Sequence, residues 1–273
     1  PTPVTAVFAG LLTKVGVYAI IRSRTLLFPD GRLDDLLLWV ALLTMLVGIF
    51  GAVAQNDVKR LLSFTLVSHI GYMIFGIALA GQASMSAAIF YVAHHITVQT
   101  SLFLVVGLIE RRGGSTRLDE LGGLAAAAPL IAILFGLPAL NLAGIPPFSG
   151  FLGKVGLLQA GLDDGGRLAV LLVAGSLVTS LLTLYALARV WNRAFWHQAP
   201  DAVLEPQQSG TPAGMVAGAA ALVALGVSLT LVAGPLFDYT ERAATDALDP
   251  SVYVGAVLPD GERGSGVSPE AEP

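Results

Sequence analysis

Seven apolar runs, each about 20 residues or longer, leave this chain little choice of fold. A hydrocarbon core about 30 Å thick demands roughly 20 apolar residues per helical crossing. Within it only helices or closed barrels satisfy their own backbones. The runs cover residues 4–21, 36–54, 61–80, 85–109, 126–162, 168–190 and 213–233. They predict an all-α polytopic membrane protein of about seven transmembrane helices. Composition agrees, with 55% hydrophobic and 12% charged residues, far more apolar than a soluble domain. The absence of cysteine excludes disulfides, iron–sulfur clusters and thiolate metal sites built from this chain. No metal site or cofactor is expected.

The fifth run departs from the rest. At 141–158 it reads NLAGIPPFSGFLGKVGLL, with Pro146 and Pro147 among glycines and Lys154 returning to apolar sequence. Proline removes a backbone donor and clashes with the preceding turn, so the helix should break near Pro146. Backbone groups freed inside a bilayer persist only where protein or water covers them. A broken membrane helix with a lysine just beyond the break is therefore a candidate segment of an ion path.

Charges inside the other runs extend the pattern. The chain has three lysines, and Lys14 and Lys154 lie within predicted spans, as do His69, His94 and His95. Every Asp and Glu falls in a loop, at a span end or in the tail. The membrane interior thus holds bases and no acids. A lysine near mid-span costs a few kcal/mol by insertion scales, which asks for a compensating role. Removal from water favours an amine that can load and release a proton, and imidazole relays between two nitrogens. These five side chains supply the elements of a hydrated proton wire. Structural readings compete at several positions: His69 could bond Thr65 one turn back, and His95 could be satisfied by Gln99 one turn on. His94 must face about 100° away from His95. Lys59 and Arg60 in QNDVKR read as an interfacial loop rather than part of the path.

Loops after the second, fourth and sixth runs carry Lys59, Arg60, Arg111, Arg112, Arg117, Arg189 and Arg193. The positive-inside rule makes that side cytoplasmic and the C-terminus extracytoplasmic. Trp191 and Trp196 in WNRAFWHQ stand where interfacial aromatics belong. In the connection ERRGGSTRLDE a short surface helix is expected. Net charge is −4, but 237–273 holds eight acidic residues against Arg242 and Arg263. Removing that −6 leaves the membrane part near +2, so no nucleic-acid partner is implied. The acidic tail reads as disordered. The chain opens on PTPVTAVFAG, without methionine or a basic leader, and runs straight into a span. It reads as a fragment lacking an N-terminal part.

The order TKVGVYAIIR, QNDVKRLLSFTLVSHIGYMIFGIAL, YVAHHITVQTSLFLVVGLIERR and GIPPFSGFLGKVGLL resembles the proton-conducting antiporter-like family. Its members are subunits of multisubunit Mrp cation/proton antiporters and of respiratory complex I. The resemblance covers the chain to about residue 233. It implies helices eight to fourteen of a fourteen-helix fold, with the broken run as helix twelve. The organisation implied is 1–33 as the last helix of a first repeat plus loop, and 34–190 as the second five-helix repeat containing 126–162. A linker and C-terminal helix would follow at 191–235, then the tail at 236–273. By motif position Lys14, His95 and Lys154 correspond to the family's proton carriers, with His69, His94, Gln99, Pro146 and Pro147 supporting. Lysine rather than glutamate on helix twelve argues against the M-type component of complex I, and GIPPFSGFLGK with TKVGVYAIIR is most similar to the D-type component of Mrp antiporters. Gln99 departs from relatives that carry lysine one turn after the histidine. The resemblance implies other membrane subunits, the lipid bilayer, protons and Na+ as partners in a plasma membrane. Its alternative is a pumping subunit of NADH:quinone oxidoreductase or a membrane-bound hydrogenase. The family's initiating glutamate and lysine, on helices five and seven, are absent from this sequence, so the chain alone should show no proton flux.

Overall fold

The computed structural model describes residues 2–198 and 212–257. Among these residues, six helices are long and apolar enough to cross a membrane: α1 (Val4–Leu27), α2 (Asp34–Ala54), α3 (Val58–Ala78), α4 (Gln82–Gly113), α8 (Arg167–Trp196) and α9 (Ala213–Leu231). Between α4 and α8 lie a short α5 (Leu124–Ala127), then α6 (Pro129–Ala143) and α7 (Ser149–Asp164). With 15 and 16 residues, α6 and α7 each reach only about 23 Å at 1.5 Å per residue. Neither spans alone, and together they form the broken seventh crossing. Two further helices, α10 (Ala233–Leu248) and α11 (Pro250–Val257), follow α9. No strand occurs among the described residues.

The 32-residue α4 is the hub, packing against α1, α3, α6, α7, α9 and α10. Its apolar residues show no one-sided stripe because protein surrounds it, the pattern of a helix buried on all faces. Small side chains such as Ser84, Ala87 and Ala88 let neighbours approach closely. The break after α6 is made by Gly144, whose φ of 86° closes the helix in the left-handed region. The Pro146–Pro147 bond in the turn is cis.

Loops that follow α2, α4 and α8 meet at one end of the molecule. Lys59 pairs with Glu110 at 2.6 Å, Thr116 donates to Asp57 at 2.5 Å, and Arg189 donates to the Val53 carbonyl at 2.6 Å. The opposite end holds the Arg24–Asp34 pair at 2.9 Å and the Gln82–Thr245 bond at 2.9 Å.

Three sequence expectations are corrected. The acidic tail expected to be disordered from 236 is helical to Val257, and 258–273 lie outside the described residues. Along α10, Thr240, Ala244 and Ala247 are buried while Asp238, Glu241, Arg242 and Asp246 face outward. Phe237 stacks on Phe90 at 4.1 Å between centroids, and Thr240 bonds Ser86 at 2.9 Å. The high acidic content concealed a helical period. The connection ERRGGSTRLDE forms no separate surface helix: its first four residues, 110–113, finish α4, and 114–120 pairs back through an isolated Asp57–Arg117 bridge. Finally, α1 continues to Leu27 through a π-helical turn, because the basic residues after Ile21 find partners at the helix end, Arg24 on Asp34 and Arg22 on Tyr18. Part of the expected linker, 199–211, also lies outside the described residues.

Candidate functional site

Both buried lysines sit beside departures from regular α-helix. Around Phe8–Leu12 α1 forms a π-helical turn, and Lys14 donates to the Ala9 carbonyl at 3.0 Å and to Thr13 Oγ1 at 3.2 Å. Such turns loosen the hydrogen-bond ladder. In α7, Lys154 turns back toward the break and donates to the carbonyls of Ala143 at 2.9 Å and Leu142 at 3.2 Å. These carbonyls end α6 and lack partners further along their own helix. Among the described residues neither lysine meets a carboxylate, and each is 5% exposed, so Lys154 does not reach an interface. The Lys154 amine lies 5.2 Å from the centroid of the Tyr72 ring, a cation–π distance. A neutral amine has two N–H groups and an ammonium three, so the two carbonyl bonds of Lys154 survive loss of its proton.

The three histidines are fully buried. His69 Nδ1 bonds the Tyr91 hydroxyl at 2.8 Å, not Thr65, whose hydroxyl donates to the Leu62 carbonyl. His95 lies against His69, ring centroids 5.2 Å apart, and neither of its nitrogens has a protein partner among the described residues. Gln99 does not satisfy His95, since its amide donates to the Leu62 carbonyl at 2.8 Å. His94 points the other way, its Nδ1 3.0 Å from Ser149 Oγ at the start of α7. Ser149 also donates to Asn141 Oδ1 at 3.3 Å. Ser149 thereby links His94 to the side chain of Asn141 near the end of α6. Gly150 makes room for that ring: a Cβ there would lie 3.0 Å from His94 Nε2.

Among the described residues, the buried side-chain atoms without a partner are His69 Nε2, His94 Nε2, both nitrogens of His95, and Gln99 Oε1. All belong to α3 and α4. An unpaired buried polar atom costs about 1–3 kcal/mol, and clustered polar atoms recruit water. The arrangement can therefore hold a hydrated proton path. No three His, Cys, Asp or Glu residues gather as a metal site among the described residues.

His69, His94, His95 and Lys154 thus share one buried region, linked by aromatic and hydroxyl side chains. Lys14 approaches from α1 and shares no hydrogen bond with the histidines. It lines a cavity of about 330 Å³ with Ile89 and Val92 of α4 and with Tyr239 of α10. Pro146 and Pro147 shape the break without touching the polar cluster through any hydrogen bond. Sequence reasoning missed Tyr72, Tyr91, Asn141 and Ser149. A signal existed for the tyrosines: Tyr72 follows His69 by three residues and Tyr91 precedes His94 by three, one helical turn in each case.

A family model described as NADH:quinone oxidoreductase/Mrp antiporter, transmembrane, matches residues 1–183. The chain is 39% identical to the D component of the Na(+)/H(+) antiporter of Alkalihalophilus pseudofirmus, over 94% of this chain and 52% of the relative. It superposes on a chain of the Mrp complex from Dietzia sp. with a TM-score of 0.84 and 35% identity, covering 94% of this chain and 55% of that one. Against respiratory complex I from Thermus thermophilus the TM-score is 0.72 and identity 28%, over 87% of this chain and 50% of that one. The chain spans about half the length of the curated relatives it matches.

Proposed function

Since the chain belongs to the NADH:quinone oxidoreductase/Mrp antiporter transmembrane family, we propose that it is the proton-translocating subunit of a multisubunit monovalent cation (Na+)/H+ antiporter. The observation that carries this reading is a set of buried bases, on four helices, with no buried acid among the described residues to neutralise them. Lys14, His95 and Lys154 carry the proton. His69 joins His95 to the Tyr91 hydroxyl, and His94 joins the path to the start of α7 through Ser149. Gln99 offers its unpartnered oxygen to water. The Pro146–Pro147 turn interrupts the crossing, so the carbonyls that end α6 are available to the Lys154 amine.

Greater identity to the antiporter relatives than to the complex I chain supports the antiporter over a redox-driven pump. Residues 34–190 serve as the second five-helix repeat. Other membrane subunits complete the transporter in the plasma membrane. The end bearing Lys59, Arg117 and Arg189 faces the cytoplasm, which places the C-terminus outside.

The test is proton movement in vesicles containing the purified, intact complex. A sodium gradient should drive it without NADH or quinone. A requirement for both would overturn the antiporter reading in favour of a pumping subunit of NADH:quinone oxidoreductase; a requirement for hydrogenase chemistry would favour a membrane-bound hydrogenase.

A further inference from the structure

Away from the polar core, α6 and α8 enclose an apolar slot of about 380 Å³, walled by Phe135, Leu140, Leu184, Trp191 and Trp196. A second cavity, of about 490 Å³, contains Tyr185, Arg189, Arg193 and His197. The two meet at Ala188 and Asn192, which line both. An apolar slot therefore opens into a cationic mouth, beside the tryptophans that mark the depth of a membrane interface.

Among the described residues, no carboxylate pairs with the charge at that mouth. Lys59 is paired with Glu110, and Arg117 with Asp119. Arg189 gives three of its five N–H donors to neutral oxygens, those of Val53, Gln55 and Asn56, and keeps its full charge. Arg193 is exposed and forms no ion pair among the described residues. The mouth thus presents two guanidinium charges and an exposed imidazole, a complement to an anion. The apolar slot matches an acyl chain in chemistry, and the cationic mouth matches a phosphodiester.

We propose that this slot binds an anionic phospholipid, with an acyl chain along Trp191 and Trp196 and the phosphodiester held by Arg189, Arg193 and His197. The inference is independent of which ion the protein moves.

The test uses the intact complex in phosphatidylcholine vesicles containing either brominated phosphatidylglycerol or brominated phosphatidylcholine, and reads tryptophan quenching. Phosphatidylglycerol should reach half-maximal quenching at a mole fraction about fivefold lower, the effect of one well-placed cation at a membrane surface. Arg193→Gln should reduce that preference, and Ala188→Phe, at the junction of the two cavities, should remove the quenching component specific to the slot. Equal quenching by the two lipids overturns the proposal. So does an unchanged preference in Arg193→Gln, or wild-type quenching that Ala188→Phe leaves untouched, as it would be if another subunit filled the slot. Arg193 is exposed and forms no ion pair among the described residues, so its variant decides the matter even if Ala188→Phe fails to assemble.

Discussion

Lys59 and Lys154 carry the same side chain in two different environments. At the end of the molecule, Lys59 is 2.6 Å from a carboxylate oxygen of Glu110, with side-chain exposures of 30% and 42% for the pair. In the interior, Lys154 has two carbonyl oxygens and a tyrosine ring. A carboxylate fixes an ammonium in its charged form, and water screens what remains. Carbonyls and a π-face accept an ammonium yet leave a neutral amine its hydrogen bonds. On the proposed function, the difference separates a charge that fastens loops from a base that exchanges its proton. Lys14 sides with Lys154, since it too meets only a carbonyl and a hydroxyl.

The hardest test of that contrast is removal of the interior amines. Lys154→Ala and Lys14→Ala should each lower proton flux by roughly a hundredfold, the scale of losing a positioned proton-transfer group, while the complex still assembles. Wild-type flux in either variant would take that lysine out of the path. Lys154→Arg should be nearly as inactive, because guanidinium keeps its proton.

Tyr91→Phe sharpens the picture at the histidines. Loss of the bond to His69 should cost about 1 kcal/mol of stability and slow flux less than either lysine change does. Unchanged flux with lowered stability would make Tyr91 a packing residue only. The smallest effect is expected at the end of the molecule. Lys59→Ala should leave flux intact, and a double-mutant cycle with Glu110→Gln should give a coupling of about 0.2–1 kcal/mol, as for exposed pairs. A large loss of flux in Lys59→Ala would erase the distinction between the two lysines.

The buried bases were legible in the sequence because lysine and histidine are rare in apolar runs and costly there. The break near Pro146 was legible because proline acts on its own backbone. Asn141 and Ser149 were not recognised, since each is unremarkable where it stands, and the spacing of Tyr72 and Tyr91 from a histidine does not disclose their distant hydrogen-bond partners. Tyr91 meets His69 across 22 residues of sequence, His94 meets Ser149 across 55, and Tyr72 meets the Ser176 carbonyl across 104. In α10 the misreading had another source: acidic content suggested disorder, while the positions of Thr240, Ala244 and Ala247 encoded a face for α4.

By itself the sequence determined that the chain crosses a membrane as helices, where one crossing breaks, and that the interior holds bases without acids. These follow from local hydropathy, proline stereochemistry and composition, which need no knowledge of neighbours. Only the tertiary structure decided which way each base points. It turned His94 to Ser149 and His95 to His69, left both His95 nitrogens without protein partners among the described residues, and drew Lys154 back onto the carbonyls of the helix it follows. Adjacent residues on a helix diverge by about 100°, so their partners depend on which helices pack beside them.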